Sequence, residues 1–158
     1  MMIFHIPKIV FLLILPFFLS GQNNGNFLNS KHFKNLNNAE KEVIIHKGTE
    51  PPFSGLYNNH FKNGVYVCKA CKKPLYCSNA KFNSNCGWPA FDDEIIGSIK
   101  KTPDYSDDMI RTEICCAECL GHLGHVFYGE KYTEKNTRHC VNSISIEFVS
   151  DSLFNCNK

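Results

Sequence analysis

The sequence has no dense run of lysine and arginine, only one tryptophan and no apolar stretch of membrane-spanning length. With a formal net charge of only +2, the chain lacks the basic stripe of a nucleic-acid reader, so no nucleic-acid partner is expected. The apolar run Ile9 to Leu19 falls short of the roughly 20 residues that a transmembrane helix needs. Lys8 precedes it and Ser20-Gly21 follows, so residues 1–21 read as a secretion signal. Leu19 is large for a position just before cleavage, so an uncleaved signal anchor is the alternative. No cysteine follows the run directly, which argues against a lipoprotein anchor. A secreted or periplasmic chain is expected, with a eukaryotic secretory pathway or organelle as the alternative.

What is present points to metal or thiol chemistry. The chain has 158 residues, of which 43% are hydrophobic, enough for one domain with its own core. It carries nine cysteines, an odd number, so disulfides alone would leave a thiol free. Residues 22–38 are rich in asparagine and read as a flexible spacer. Ala39 to His46 suits a short helix capped by Asn37 or Asn38. The domain is expected over 39–150, with a fraying polar tail over 151–158.

Within the domain, short β-branched stretches alternate with Gly, Pro, Asn and Asp, the punctuation of an all-β fold. Gly64 to Val67 reads as a strand running into Cys68, and Ile110 to Ile114 as one running into Cys116. The clearest strand is Val141 to Phe148. There Ile144, Ile146 and Phe148 share one face, and Ser143, Ser145 and Glu147 the other. Cys140 and Asn142 have the parity of the apolar face. Apart from two CxxC pairs, there is no internal repeat.

Those pairs are Cys68-Lys69-Ala70-Cys71 and Cys116-Ala117-Glu118-Cys119. Each turn brings two sulfurs together, and two facing turns make a closed, tetrahedral four-cysteine site, expected to hold one structural Zn2+. Two redox CxxC motifs or two disulfides are the weaker readings.

The remaining cysteines are Cys77, Cys86, Cys115, Cys140 and Cys156. Cys86 stands beside Gly87-Trp88-Pro89, a loop that displays its aromatic. Arg138 stands near Cys140 and would lower its thiol pKa. His122 and His125 follow the second CxxC directly, as proton donors or hydrogen-bond partners. Together these are the parts of a thiol redox site. Cys115 reads as a packed strand residue, while Cys77 and Cys156 have no assigned role beyond that of spare resolving thiols. Glu113 reads equally well as a charge on a solvent-facing strand.

Six collinear motifs, the two CxxC pairs counted as one, carry a resemblance. They are Gly48 to Gly55, the two CxxC pairs, Lys81 to Phe91, Arg111-Thr112-Glu113, His122 to Phe127 and Arg138 to Ser143. In these the chain resembles the B-type methionine sulfoxide reductases, which act on the R epimer. The resemblance implies two packed antiparallel sheets, partly barrel-like, with few short helices and a zinc site remote from the active site. It implies Cys140 as nucleophile and Cys86 as resolving thiol. It also implies a pocket lined by Trp88, His122, His125, Arg138 and Asn142. The expected cycle passes through a Cys140 sulfenic acid and a Cys86–Cys140 disulfide, restored by a thioredoxin-like donor. The substrates would be oxidised proteins containing methionine-R-sulfoxide, and the enzyme a monomer.

The chain departs from the family pattern in two places. Tyr128-Gly129-Glu130 stands where an Asp-Gly often follows, so Glu130 is the candidate replacement carboxylate. His139 stands where many members have tyrosine, and would either tune the thiol or face out. Two other classes compete with the reductase. One is a non-catalytic zinc-knuckle binding module. The other is a zinc hydrolase or deaminase using His122 and His125 on a second metal.

Overall fold

The computed structural model describes residues 31–150 together with Cys156. The expected signal segment and most of the expected tail lie outside these residues. Of the expected spacer, 31–38 is described. There Lys31–Phe33 forms a 3-10 turn, and Phe33 and Leu36 are buried in the core. No described helix is long and apolar enough to cross a membrane.

The helix forms as its cap predicts. α1 spans Asn38–Ile44 behind Asn37, whose side chain accepts from the Glu40 backbone while the Glu40 carboxylate accepts from the Asn37 N–H. This reciprocal box satisfies two otherwise orphaned donors. Val43 and Ile44 turn inward.

All strand pairs are antiparallel. A three-stranded sheet has the order β2-β1-β9, with β1 Gly64–Cys68, β2 Pro74–Cys77 and β9 Ile146–Ser150. A six-stranded sheet has the order β3-β4-β8-β7-β6-β5. Its strands are β3 Lys81–Phe82, β4 Ala90–Phe91, β5 Ile99–Asp104, β6 Arg111–Cys116, β7 His122–Tyr128 and β8 Thr137–Val141. Neither sheet closes into a barrel, because β3 and β5 each lack a second neighbour. The sheets share one core in which Tyr66, Leu75, Tyr76 and Phe91 meet Ile114, Leu123 and Val141. Tyr76 stacks on Phe91 with ring centroids 4.3 Å apart.

The last expected strand is two strands. β8 ends at Val141, residues Ser143–Ser145 form a 3-10 turn, and β9 belongs to the other sheet. Ser143 and Ser145 are buried, whereas Ile144 is only half-buried, the reverse of the expected alternation. Polar contacts override it. Ser143 Oγ accepts from Tyr57 N at 2.8 Å, and the Glu50 carboxylate accepts from the backbone N–H groups of Ser143 and Ile144. The break lets one segment serve both sheets. Similarly, the expected strand at Ile110 begins one residue later, and Ile110 itself is exposed.

Candidate active site

β7, β8 and β4 place the reactive groups by register. Cys140 on β8 lies opposite His125 on β7 and Ala90 on β4, so Cys140 and His125 share a face. The β7–β8 approach requires glycine at 124. Its φ is +150°, and a Cβ there would overlap the Cys140 carbonyl oxygen.

The result is a cavity of about 170 Å³ lined by Thr49, Trp88, Arg111, Gly124, His125, Phe127, Cys140 and Asn142. Of the residues expected at the site, Cys140, Trp88, His125 and Asn142 meet in this wall. Cys86 stands behind Cys140 with its Sγ 3.7 Å away. Arg138 lies along the Phe127 ring at 4.4 Å and pairs with Glu130 through bonds of 2.7 and 2.9 Å. Glu130, the candidate replacement carboxylate, thus pairs with Arg138 and is not among the residues of the wall. His122 is not in the wall. It is buried, and its Nδ1 lies 2.8 Å from Glu113 Oε1.

Two loops brace the cavity. The Trp88 indole N–H donates to Glu50 O at 2.9 Å, and Glu50 N donates to Asn142 Oδ1 at 3.0 Å. Asn142 in turn donates to Leu123 O from both its backbone and its side chain. Thr49, Glu50, Asp104 and Arg111 were not singled out individually in the sequence. Thr49, Glu50 and Arg111 lie in motif stretches, but Asp104 ends a lysine-rich strand and carries no local signal.

The electrostatics differ from expectation at the thiols. The hydrogen bond from Cys140 is the main cause that brings the Cys86 thiol down to about 5, with Ser84, Trp88 and Arg138 assisting against burial. The same bond, with burial, pushes Cys140 well up despite Arg138. The two thiols share one proton, and the opposite shifts favour the thiolate on Cys86, because contact with Cys86 and burial outweigh the arginine at Cys140. Glu113 is buried rather than solvent-facing. Burial pushes its carboxyl up, but His122 and Lys47 outweigh that and hold it at about 2. His139 neither faces out nor reaches the thiol. It is fully buried, with Nδ1 3.1 Å from Tyr76 Oη and Nε2 3.1 Å from Glu94, and burial brings it down to about 4.

The two CxxC turns converge as one cluster of four thiols, Cys68, Cys71, Cys116 and Cys119. Each turn closes with an n+4 backbone bond, Lys72 N to Cys68 O and Leu120 N to Cys116 O, both 2.9 Å. Lys72 and Leu120 both take a left-handed φ, so the knuckles are built alike. Sulfur separations of 3.6 Å (Cys68–Cys119) and 3.5 Å (Cys71–Cys116) are close to the edge of a tetrahedron with metal–sulfur bonds of about 2.3 Å. The cluster fits a closed metal site at the end of β6 opposite Arg111. His122 and His125 do not share a ligand cluster among the described residues. Each is instead tied to its own carboxylate, and His122 falls in a separate group with Glu113 and Cys115. Cys77 and Cys156 form a disulfide with each other, so neither is a spare resolving thiol.

The SelR domain family matches residues 36–150. The chain is 50% identical over 118 residues to "Peptide methionine sulfoxide reductase B2, chloroplastic" of Arabidopsis thaliana, covering 74% of this chain and 57% of that one. It is 47% identical over 135 residues to "Peptide methionine sulfoxide reductase B5" of Oryza sativa subsp. japonica, covering 84% and 98%. A solved structure of the Mis18 "Yippee-like" domain aligns at 22% identity with a TM-score of 0.46, over 60% of this chain and 100% of that one.

Proposed function

Because the chain belongs to the SelR domain family, we propose that it reduces protein-bound methionine-R-sulfoxide to methionine at Cys140. The observation that carries the reading is the paired thiols, Cys86 and Cys140, 3.7 Å apart, with Cys140 in the wall of a side-chain-sized pocket beside His125 and Trp88. The sulfoxide side chain enters with its methyl group against Trp88. Cys140 passes its proton to the Cys86 thiolate and attacks the sulfoxide sulfur, while His125 protonates the departing oxygen. The sulfur–sulfur bond formed by the attack then breaks as the protonated oxygen passes to Cys140 Sγ, so the S–O bond to methionine is exchanged for one to Cys140, leaving methionine and a Cys140 sulfenic acid. Cys86 attacks that sulfur, expelling water and forming a disulfide, and a thioredoxin-like dithiol reduces it. Cys68, Cys71, Cys116 and Cys119 hold a structural zinc ion that ties β1 to β6. Export to an oxidising compartment is supported by the N-terminal apolar run and by the Cys77–Cys156 disulfide.

The test is reduction of dabsylated methionine sulfoxide, R and S epimers separately, with dithiothreitol. Consumption of R alone is expected. Cys140→Ser should consume neither, while Cys86→Ser should keep a single turnover and lose thioredoxin-driven cycling. A folded, zinc-loaded chain that consumes neither epimer would leave a binding module as the better account.

A further inference from the structure

His125 reaches away from its own strand to a residue on the outer edge of the sheet. Its Nε2 lies 2.8 Å from Asp104 Oδ2, at the end of β5. The same carboxylate oxygen accepts from the Arg111 guanidinium at 3.0 Å, and its partner oxygen accepts from Ser106 N at 3.0 Å. Arg111 Nη2 also holds Ser106 Oγ at 3.0 Å and Asp107 at 2.8 Å, so the turn after β5 is clamped around one carboxylate. The other ring nitrogen, Nδ1, has no protein partner among the described residues, and the ring lines the pocket beside Cys140.

An ionised carboxylate accepts hydrogen bonds only, so Nε2 must carry a proton. That fixes the tautomer. We propose that Asp104, anchored by Arg111, is the positioning residue for His125, so that Nδ1 is the nitrogen presented to the oxygen of a bound sulfoxide. This inference rests on the reductase reading above. For the oxygen to leave, Nδ1 must be protonated too, giving an imidazolium whose charge Asp104 balances. When Cys140 attacks, the Nδ1 proton moves to the oxygen as the S–O bond to methionine breaks, and His125 returns to the Nε2–H form.

The other groups facing His125 do not substitute for Asp104. Arg111 is cationic and disfavours the imidazolium. Glu113 lies opposite His125 in the register, but its oxygens are taken by His122 and Lys47. His122 stands edge-on at 5.7 Å between centroids, and Cys140 shares its proton with Cys86. Burial and Arg111 lower the His125 pKa, and the bond to Asp104 opposes them.

The experiment is the pH profile of kcat/KM for reduction of a peptide methionine-R-sulfoxide with dithiothreitol, for wild type, Asp104→Asn and Asp104→Glu. Asp104→Asn should lower kcat by ~100-fold at neutral pH, within the range for loss of a general acid. KM should change little. The alkaline limb should move to lower pH, because the imidazolium loses its counter-charge. Asp104→Glu should restore most of the rate and the limb. A uniform loss with the limb in place would overturn the proposal. A nitrogen-resolved NMR spectrum of wild-type His125 is the second measurement, independent of how the variants fold. Nε2–H is expected, and an Nδ1–H tautomer would overturn the proposal. If wild type reduces neither epimer, the reductase reading itself falls, an outcome distinct from an active enzyme with an unshifted limb.

Discussion

Cys86 and Cys140 titrate as a pair, because one proton lies between two sulfurs 3.7 Å apart. Alkylation of the reduced chain by iodoacetamide should therefore show a thiolate that persists well below neutral pH. It should be lost as pH falls through about 5, the value to which Cys140 and its neighbours bring Cys86. Cys140→Ala removes the first of those causes, so the half-point should move up toward that of an ordinary thiol. An unchanged half-point would show that Ser84 and Arg138 suffice alone. The residue types at the site were legible in the sequence: two thiols, two histidines, an arginine and a loop tryptophan. Their charge states were not. Arg138, two residues before Cys140, suggested a lowered Cys140 pKa, but nearness along the chain says nothing of a second thiol arriving from 54 residues away. Glu113 was left open between site and solvent-facing strand for the same reason. It is buried, and its partners Lys47 and His122 come from beyond α1 and from β7.

At the scale of elements, β7 and β8 must approach closely enough for His125 and Cys140 to meet, and Gly124 permits it. Gly124→Ala would drive a methyl group into the Cys140 carbonyl, a backbone atom that cannot step aside. It should cost about 2 kcal/mol or more of stability, as overpacking does, and abolish reductase activity. Thermal unfolding and the dabsyl assay read the two losses separately, and an active, stable variant would sink the argument. α1 and the CxxC knuckles were legible because their signals are local: a capping box, and two sulfurs on one tight turn. The strand from Val141 to Phe148 was not. Its alternation is genuine, but Glu50 and Tyr57 supply partners to Ser143 and Ile144, so the turn costs less than continuing the strand in one sheet.

For the molecule as a whole, the Cys77–Cys156 disulfide anchors the far end of the chain to edge strand β2 across 79 residues. In the chain-entropy model a loop of that length stabilises by about 4 kcal/mol. Cys77→Ser and Cys156→Ser should each lose up to that amount without reductant, and wild type should match them once dithiothreitol is added. Equal unfolding midpoints for all three in non-reducing buffer would refute it. By itself, the sequence determined the all-β class, the pairing of the CxxC turns and the collinear motifs, because backbone propensity, turn chemistry and short spacings are properties of neighbouring residues. Only the tertiary structure decided which thiols share a proton, which carboxylate backs each histidine and which cysteines pair outside the site. Those depend on groups brought together from distant strands, and burial sets the strength of every charge among them.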